Sequence, residues 1–396
     1  MYFIIHLLVS SFKLFSLIFL IISLGGCHSS KHLSQQVPIE TYFADELFLD
    51  ISVSEIESEQ EIFRLSDNAK AFVDDVTRLN VEDTEKLSLL VMRIFDRSDL
   101  DMLYNAQANT TASETFEKAA ANCMSLSIMT FAMAEHAGLA TQFQVVKIPE
   151  YWTRRGGYSM LNGHINIRIK PKMQPGVYKA FDNEVVVDFD SQSRTKRFPT
   201  KLVKKERVLA MFYNNKGADY LVNNKPAQAY QYFKTAISVD PGFDGAWINL
   251  GLIYRQHDRF QLARNAYNRA IIINEENLTA WENLAVLYKY EGNQKAAADI
   301  FATVAKKREK NPFFHQMLAE IEVDNHHWDK SIAHYLDAIR LDDDQHTFYF
   351  GLAMAYFKKG ELDMSSRYLK QAKRKSRDKD VSAHYANKIN ALNSMN

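Results

Sequence analysis

The stretch WINLGLIYRQHDRFQLARNAYNRAIIINEENLTAWENLAVLY, residues 247–288, states one pattern twice. Trp247, Gly251 and Tyr254 return 34 residues later as Trp281, Ala285 and Tyr288. Extending that register from residue 210 puts Tyr213, Trp247, Trp281, His315 and Tyr349 at the fourth position of successive units. The eighth position holds Gly217, Gly251, Ala285, Ala319 and Ala353, and the eleventh Tyr220, Tyr254, Tyr288, Glu322 and Tyr356. Position 20 is Ala229, Ala263, Ala297, Ser331 and Ser365; position 24 is Phe233, Tyr267, Phe301, Tyr335 and Leu369. A fixed period in this range is the mark of stacked helical hairpins. Small residues at 8 and 20 let two antiparallel helices approach, while large ones at 4, 11 and 24 fill the space between neighbours.

These columns resemble the tetratricopeptide repeat, in five copies over 210–379 with no insertion, and Pro241 ends the first copy where that pattern places it. Residues 380–396 read as a C-terminal capping helix. The fourth copy has His315 and Glu322 where aromatics are expected, which makes it the weak joint of the stack. The resemblance implies a groove that takes a protein or peptide partner.

At the other end, MYFIIHLLVSSFKLFSLIFLIISLGGCHSS carries Lys13 ahead of the apolar run Leu14 to Leu24, then small residues before Cys27. This is the pattern of an export signal. LGGC resembles the bacterial lipobox, which implies a signal peptide over 1–26, a lipidated Cys27 embedded in a bilayer, and a tether over 27–40. His28 after the cysteine is similar to outer-membrane lipoproteins facing the periplasm. Of two cysteines in the chain, Cys123 is then left without an intramolecular partner, in a compartment where cysteines usually pair.

Length and charge bound the rest. A chain of 396 residues allows two or three domains. Lysine plus arginine, 48, equals aspartate plus glutamate, 48, so no net field draws the protein to nucleic acid, and none is expected as a partner. No glycine-rich phosphate loop is present, and His326, His327 and His334 lack a supporting ligand spacing. No cofactor and no metal are expected.

Between tether and repeats lies a region over 41–195 with mixed character. Leu87, Leu90, Val91, Ile94 and Phe95 recur at the spacing of one helix face, within a helical segment over 41–100. Thr111 and Glu114 have capping-box spacing. A helix apolar on all sides runs from Cys123 to about Ala137, where Gly138 stops it. Three strands follow, QFQVVKI from 142, HINIRIK from 164 and EVVVDFD from 184. In the middle strand Ile165, Ile167 and Ile169 alternate with His164, Asn166 and Arg168, so His164 points away from the apolar face. PEYWTRRGGY reads as a loop before that strand, with Tyr151 and Trp152 either walling a cleft or packing. Seven basic residues between Arg194 and Arg207, with Pro199, read as a basic linker over 196–209. Lipid headgroups or an acidic partner are the other readings of that stretch.

A cysteine opening a buried helix is placed for nucleophilic chemistry, because the unpaired amides and dipole there favour a negative sulfur. NCMSLSIMTFAMAEHAGLATQFQVV, NGHINIRI and VVVDFD, a cysteine on a helix and then histidine and aspartate on consecutive strands, resemble the transglutaminase-like branch of the papain-type fold. That resemblance covers roughly residues 80–195. It implies Cys123 as nucleophile, His164 as base and Asp188 as orienting acid, with Asp190 in phase as the other acid. Asn122, which is also the helix cap, and Tyr104 are the candidate oxyanion donors. Asn166 two places after the histidine and Phe189 after the aspartate depart from the family pattern. The expected architecture is an α+β papain/transglutaminase-like domain followed by an all-α tetratricopeptide-repeat solenoid. The expected function is acyl transfer through a thioester, as peptidase, amidase or transglutaminase. The alternative is an inactive transglutaminase-like lipoprotein serving as an assembly scaffold.

Overall fold

A computed structural model describes residues 38–48, 55–79, 81–95, 103–105, 107–171, 184–189 and 198–394. The expected signal segment, Cys27, nearly all of the tether and Asp190 lie outside these residues. Among the described residues no helix is long and apolar enough to cross a membrane.

The first part is a mixed α/β region whose helices begin on side-chain caps. Helix α1 (Glu59–Phe63) starts on a Ser58/Glu61 capping box, α2 (Asp67–Thr77) on Ser66, and α3 (Asp83–Phe95) follows. A two-residue strand β1 (Leu103–Tyr104) pairs in parallel with β2 (Ala120–Ala121), on either side of α4 (Ala112–Lys118). Thr111 and Glu114 make the capping box of α4. Helix α5 (Cys123–His136) is buried along nearly its whole length and ends where Gly138 adopts φ +77°.

Four antiparallel strands make the main sheet, in the order β5 (Val185–Val187), β4 (Tyr158–Lys170), β3 (Ala140–Arg155), β6 (Thr200–Val203). Phe131 of α5 stacks on Phe143 of β3 at 4.6 Å. The stretch expected as a loop is instead strand. β3 continues through Trp152 to Arg155 and turns at Gly156 and Gly157, both with positive φ (56° and 82°), which suits a two-residue hairpin turn. The ladder breaks between Val146 and Tyr151, opposite His164 and Asn162. Pro149 lies in that break and has no N–H to donate, so four residues of β3 bulge out before pairing resumes. The segment beyond the bulge is an arm. Within the linker expected over 196–209, the described residues from 198 are likewise structured: β6 is an edge strand on β3 and the next helix begins at Lys205. Two of its cations are paired, Lys205 with Glu59 at 2.8 Å and Arg207 with Asp240 at 2.5 Å.

The second part is all helical: five hairpins, α6 (Lys205–Val222) with α7 (Pro226–Val239), α8 (Asp244–Gln256) with α9 (Phe260–Ile273), α10 (Leu278–Tyr290) with α11 (Gln294–Arg308), α12 (Pro312–Asp324) with α13 (Trp328–Leu341), α14 (His346–Lys359) with α15 (Leu362–Lys375), then α16 (Lys379–Asn393). The columns act as their chemistry requires. A Cβ on Gly217 would sit 2.5 Å from the Phe233 ring, and one on Gly251 equally close to Tyr267. Position 8 is small because position 24 of the same hairpin lies against it.

Position 4 carries a ring with a polar hydrogen. Trp247 donates to the Pro241 carbonyl at 2.9 Å, Trp281 to Glu275 at 2.8 Å, and Tyr349 to Asp343 at 3.0 Å. His315 Nε2 makes the same bond to Glu309 at 2.9 Å. The histidine therefore keeps the bond that closes each inter-repeat turn, and repeat 4 is not an irregular joint on that account.

Residues 42–396 pack as one unit, and the arm is one reason. Trp152 is buried with Phe314 and Met317 of α12. Arg308, at the end of α11 and 1% exposed, places its guanidinium 4.9 Å from the Trp152 ring centre. It bonds Glu150 at 2.8 and 3.0 Å and Glu282 of α10 at 2.9 Å. Burial alone disfavours its charge, but Glu150 and Glu282 outweigh burial and hold its pKa above the usual value. Asn311 donates to the Glu150 carbonyl at 2.7 Å, Arg154 pairs with Asp324, and Tyr158 accepts from Gln256 of α8 at 2.7 Å. Segment 42–57 is the other reason: the Tyr254 hydroxyl bonds the Tyr42 carbonyl and Tyr213 that of Glu57, each at 2.7 Å.

Removing one partner of a buried ion pair strands the other, at a cost of about 3–5 kcal/mol for full burial. Glu150 and Glu282 keep partial contact with solvent. Arg308→Met should therefore destabilise the chain by about 3 kcal/mol in urea unfolding and expose Trp152 fluorescence to quencher. A loss below about 1 kcal/mol, the level of a surface pair, would mean the arm is not held by this contact.

Candidate active site

Cys123 is the first residue of α5, and Asn122 is its cap, with Asn122 Oδ1 accepting from the Ser125 amide at 2.9 Å. Asn122 Nδ2 donates to Asn109 Oδ1 at 2.7 Å. Asn109 in turn donates to Asp219 of α6, whose other oxygen takes Arg155 of the arm at 2.6 Å. Asn122, expected as an oxyanion donor, uses Oδ1 for the cap and one of its two Nδ2 hydrogens in this chain of bonds. The side chain of Tyr104, the other expected donor, lies outside the described residues, and its backbone pairs with Ala121. The first amides of α5 remain, since the cap takes that of Ser125 and no helical carbonyl precedes those of Cys123 and Met124.

His164 comes from the opposite direction along the chain. It sits on β4 across from Val146, beside the bulge, on the strand face opposite Ile165 and Ile167. That face is polar, as the alternation predicts, yet it is buried: His164 and Asn166 are each 3% exposed. The correction has a simple cause. A polar face can be covered when its groups bond one another, and here they do. His164 Nε2 lies 2.8 Å from Asp188 Oδ1, and Asn166 Nδ2 donates to Asp188 Oδ2 at 3.0 Å. Asp188 follows β5 by one residue, just past the Ile167/Val187 register pair, which sets it beside Asn166 and diagonal to His164.

The Cys123 side chain is the other group that acts on the His164 ring. With Nε2 on the carboxylate, Nδ1 is the atom left for the sulfur. Burial pulls the His164 pKa down, but the bonds to Asp188 and Cys123 and their charges outweigh it and raise it from 6.5 to about 10. Cys123 and Asp188 are each partly exposed, and His164 between them is buried. Sulfur, imidazole and carboxylate therefore meet at one place.

Asn166 had been read as a departure from the family pattern, and its work was missed. The signal was available, since residues i and i+2 of a strand share a face and both can reach one carboxylate. Tyr151 and Trp152 wall no cleft beside Cys123; Trp152 packs on α12 and Tyr151 lies 6.0 Å from Phe313.

Comparison with known proteins bears on the helical half. The tetratricopeptide repeat family matches residues 214–277 and 317–378. The C-terminal half is an array of tetratricopeptide repeats. The α+β region before it is unassigned to a family. A chloroplastic tetratricopeptide repeat domain-containing protein of Arabidopsis thaliana, PYG7, is 32% identical over 75 residues, 19% of this chain and 25% of that protein. Human tetratricopeptide repeat protein 6 is 27% identical over 164 residues, 40% of this chain and 30% of that protein. The chain thus spans less than a third of these relatives. Among solved structures, a thermophilic tetratricopeptide repeat protein of Thermus thermophilus is 16% identical with a TM-score of 0.30, covering 45% of this chain and 97% of that one. Pseudomonas aeruginosa pilF is 15% identical with a TM-score of 0.28, covering 48% and 94%. Tetratricopeptide repeats imply protein or peptide partners.

Replacing Asp188 with asparagine removes the negative charge facing the ring. The His164 pKa should fall by about 1–3 units, read from the ring carbon shifts in an NMR titration. Because the folded pKa lies above the unfolded 6.5, the stabilisation from this charged contact is complete below pH 6.5 and fades as pH rises through about 10. The stability gap between wild type and Asp188→Asn should narrow over that window, and a gap independent of pH would show that the pair does not hold in solution.

Proposed function

We propose that the α+β region is a papain-type, transglutaminase-like acyl-transfer site that acts through a thioester on Cys123. The observation that carries the reading is the row of Cys123, His164 and Asp188, with the His164–Asp188 bond at 2.8 Å and Cys123 half-buried. Asp188 holds Nε2 and so turns Nδ1 to the sulfur, and Asn166 fixes the carboxylate that does this.

The chemistry follows from the placement. The Cys123 sulfur, its proton already resting on the imidazole, adds to an amide or ester carbonyl. The amides that open α5 receive the developing oxyanion, aided by the helix dipole. The His164 imidazolium then gives its proton to the leaving amine or alcohol as the C–N or C–O bond breaks, and a thioester remains. Water, deprotonated by the imidazole, adds to that thioester and expels the thiolate, releasing a carboxylic acid and restoring the resting pair. An amine in place of water gives transamidation with the same residues. A ring that keeps its proton near neutral pH is suited to the donor step and supplies a counter-charge to the sulfur.

The repeats supply the partner-binding half of the reading. Trp152 and Arg154 already lie along α12, so a protein or peptide partner meets the arm and the repeats together rather than a bare helical face. The LGGC stretch supports a location on the outer membrane, facing the periplasm, by acylation of Cys27.

Iodoacetamide should alkylate Cys123 at pH 7 roughly 10-fold or more faster than a free thiol, and His164→Ala should remove that excess. Cys123→Ala should abolish turnover of amide or thioester probes while leaving stability within about 1–2 kcal/mol of wild type. An ordinary alkylation rate indifferent to His164 would leave a binding scaffold as the function. For the anchor, Cys27→Ser should abolish incorporation of labelled fatty acid and release the chain from membranes; label retained by that variant would refute acylation at Cys27.

A further inference from the structure

Repeat 4 holds a cluster that the acyl-transfer reading does not use. His315 on α12 and His334 and Asp337 on α13 each present one ligating atom, and these three atoms lie within 4.8 Å of one another. His315 Nδ1 is 3.9 Å from Asp337 Oδ2, too far for a hydrogen bond but a fitting separation for two ligands about one ion. The Nδ1 atoms of both histidines are buried and have no hydrogen-bond partner. Two orphaned imidazole nitrogens beside a carboxylate cost free energy unless something accepts their lone pairs.

The bonding around the cluster fixes the tautomer that a ligand needs. The Glu309 carbonyl can only accept, so the proton of His315 is on Nε2 and the Nδ1 lone pair faces the cluster. A ligating histidine that donates its other N–H to a backbone carbonyl is the usual outer-shell arrangement of metal sites. His334 and Asp337 stand three apart on one helix and so share a face.

The other four repeats serve as an internal control, because they present the same three positions on the same scaffold. They hold Tyr213, Tyr232 and Thr235; Trp247, Ala266 and Arg269; Trp281, Ile300 and Thr303; and Tyr349, Tyr368 and Gln371. Only repeat 4 has a ligating type at all three. In repeats 2 to 5 position 4 carries a ring that donates one hydrogen bond to the preceding turn, and histidine is the residue that does so with a second nitrogen to spare.

We propose that His315 Nδ1, His334 and Asp337 bind a divalent transition metal, zinc by the chemistry of two imidazoles and one carboxylate, with water completing the tetrahedron. The ion pins α12 to α13. It is separate from Cys123 and takes no part in the thioester chemistry.

The test uses the full chain without an affinity tag, stripped with chelator and titrated with cobalt(II) as a spectroscopic probe and with zinc by calorimetry. Four-coordinate visible bands should saturate at one equivalent, zinc should raise the melting temperature, and Cys123→Ser should change neither. His334→Ala should weaken zinc binding by more than about 100-fold, beyond what loss of an outer-shell contact does. Asp337→Asn, at a half-exposed position that folding tolerates, should weaken it as well. Zinc affinity unchanged in both variants overturns the proposal. A cobalt spectrum with sulfur-to-metal charge transfer that disappears in Cys123→Ser overturns it too, since the ion then belongs to the cysteine.

Discussion

A guanidinium taken out of water has to be paired, and Arg308 shows how much of this structure follows from that requirement. Its side chain is 1% exposed, and its charge is met by Glu150 from the arm, Glu282 from the third repeat and the face of Trp152. None of these could be moved without stranding the others. The arm therefore cannot swing freely, although it is a two-stranded hairpin extended past a bulge, a form that is marginal in isolation. Burial of Trp152 against Phe314 and Met317 adds apolar area where the charges have excluded water.

Holding the arm also positions the site. Arg155 near its tip reaches Asp219 of the first repeat, Asp219 takes Asn109, Asn109 takes Asn122, and Asn122 caps the helix that begins with Cys123. The helix start and the repeats are thus tied by one run of hydrogen bonds. On the other side of the sulfur, the same bulge that releases the arm sits opposite the register of His164. Sheet, arm and repeats meet at a few residues, and the geometry around Cys123 depends on all three.

Different parts of the chain were legible to different degrees. The period of 34 placed the five hairpins, because each column has one packing partner and tolerates little else; Gly217 against Phe233 and Gly251 against Tyr267 are direct instances. The Thr111/Glu114 box and the apolar circumference of α5 marked their helices because both signals are local. His315 was misread as a defect since its column was taken as aromatic, when the property shared by repeats 2 to 5 is a ring hydrogen given to a carbonyl six residues back. PEYWTRRGGY was misread as a loop because Pro149 and two glycines punctuate it, yet the proline sits in the bulge and the glycines make the turn. Lys205 and Arg207 were read as linker charges, and each has an acid that lies far from it along the chain.

The sequence by itself determined what repetition and nearest neighbours can encode: the helical array, the caps, the strand alternation and the candidacy of Cys123, His164 and Asp188. Tertiary structure alone decided that the arm lies on the repeats, that Asn166 holds Asp188, that Asn109 and Asp219 link Asn122 to the repeats, and that His315, His334 and Asp337 converge. The physical reason is one of range. Periodicity and capping act over a few residues or a fixed repeat, whereas a buried charge or an orphaned nitrogen is satisfied by whichever group the folded chain brings within about 3 Å, at any separation along the backbone.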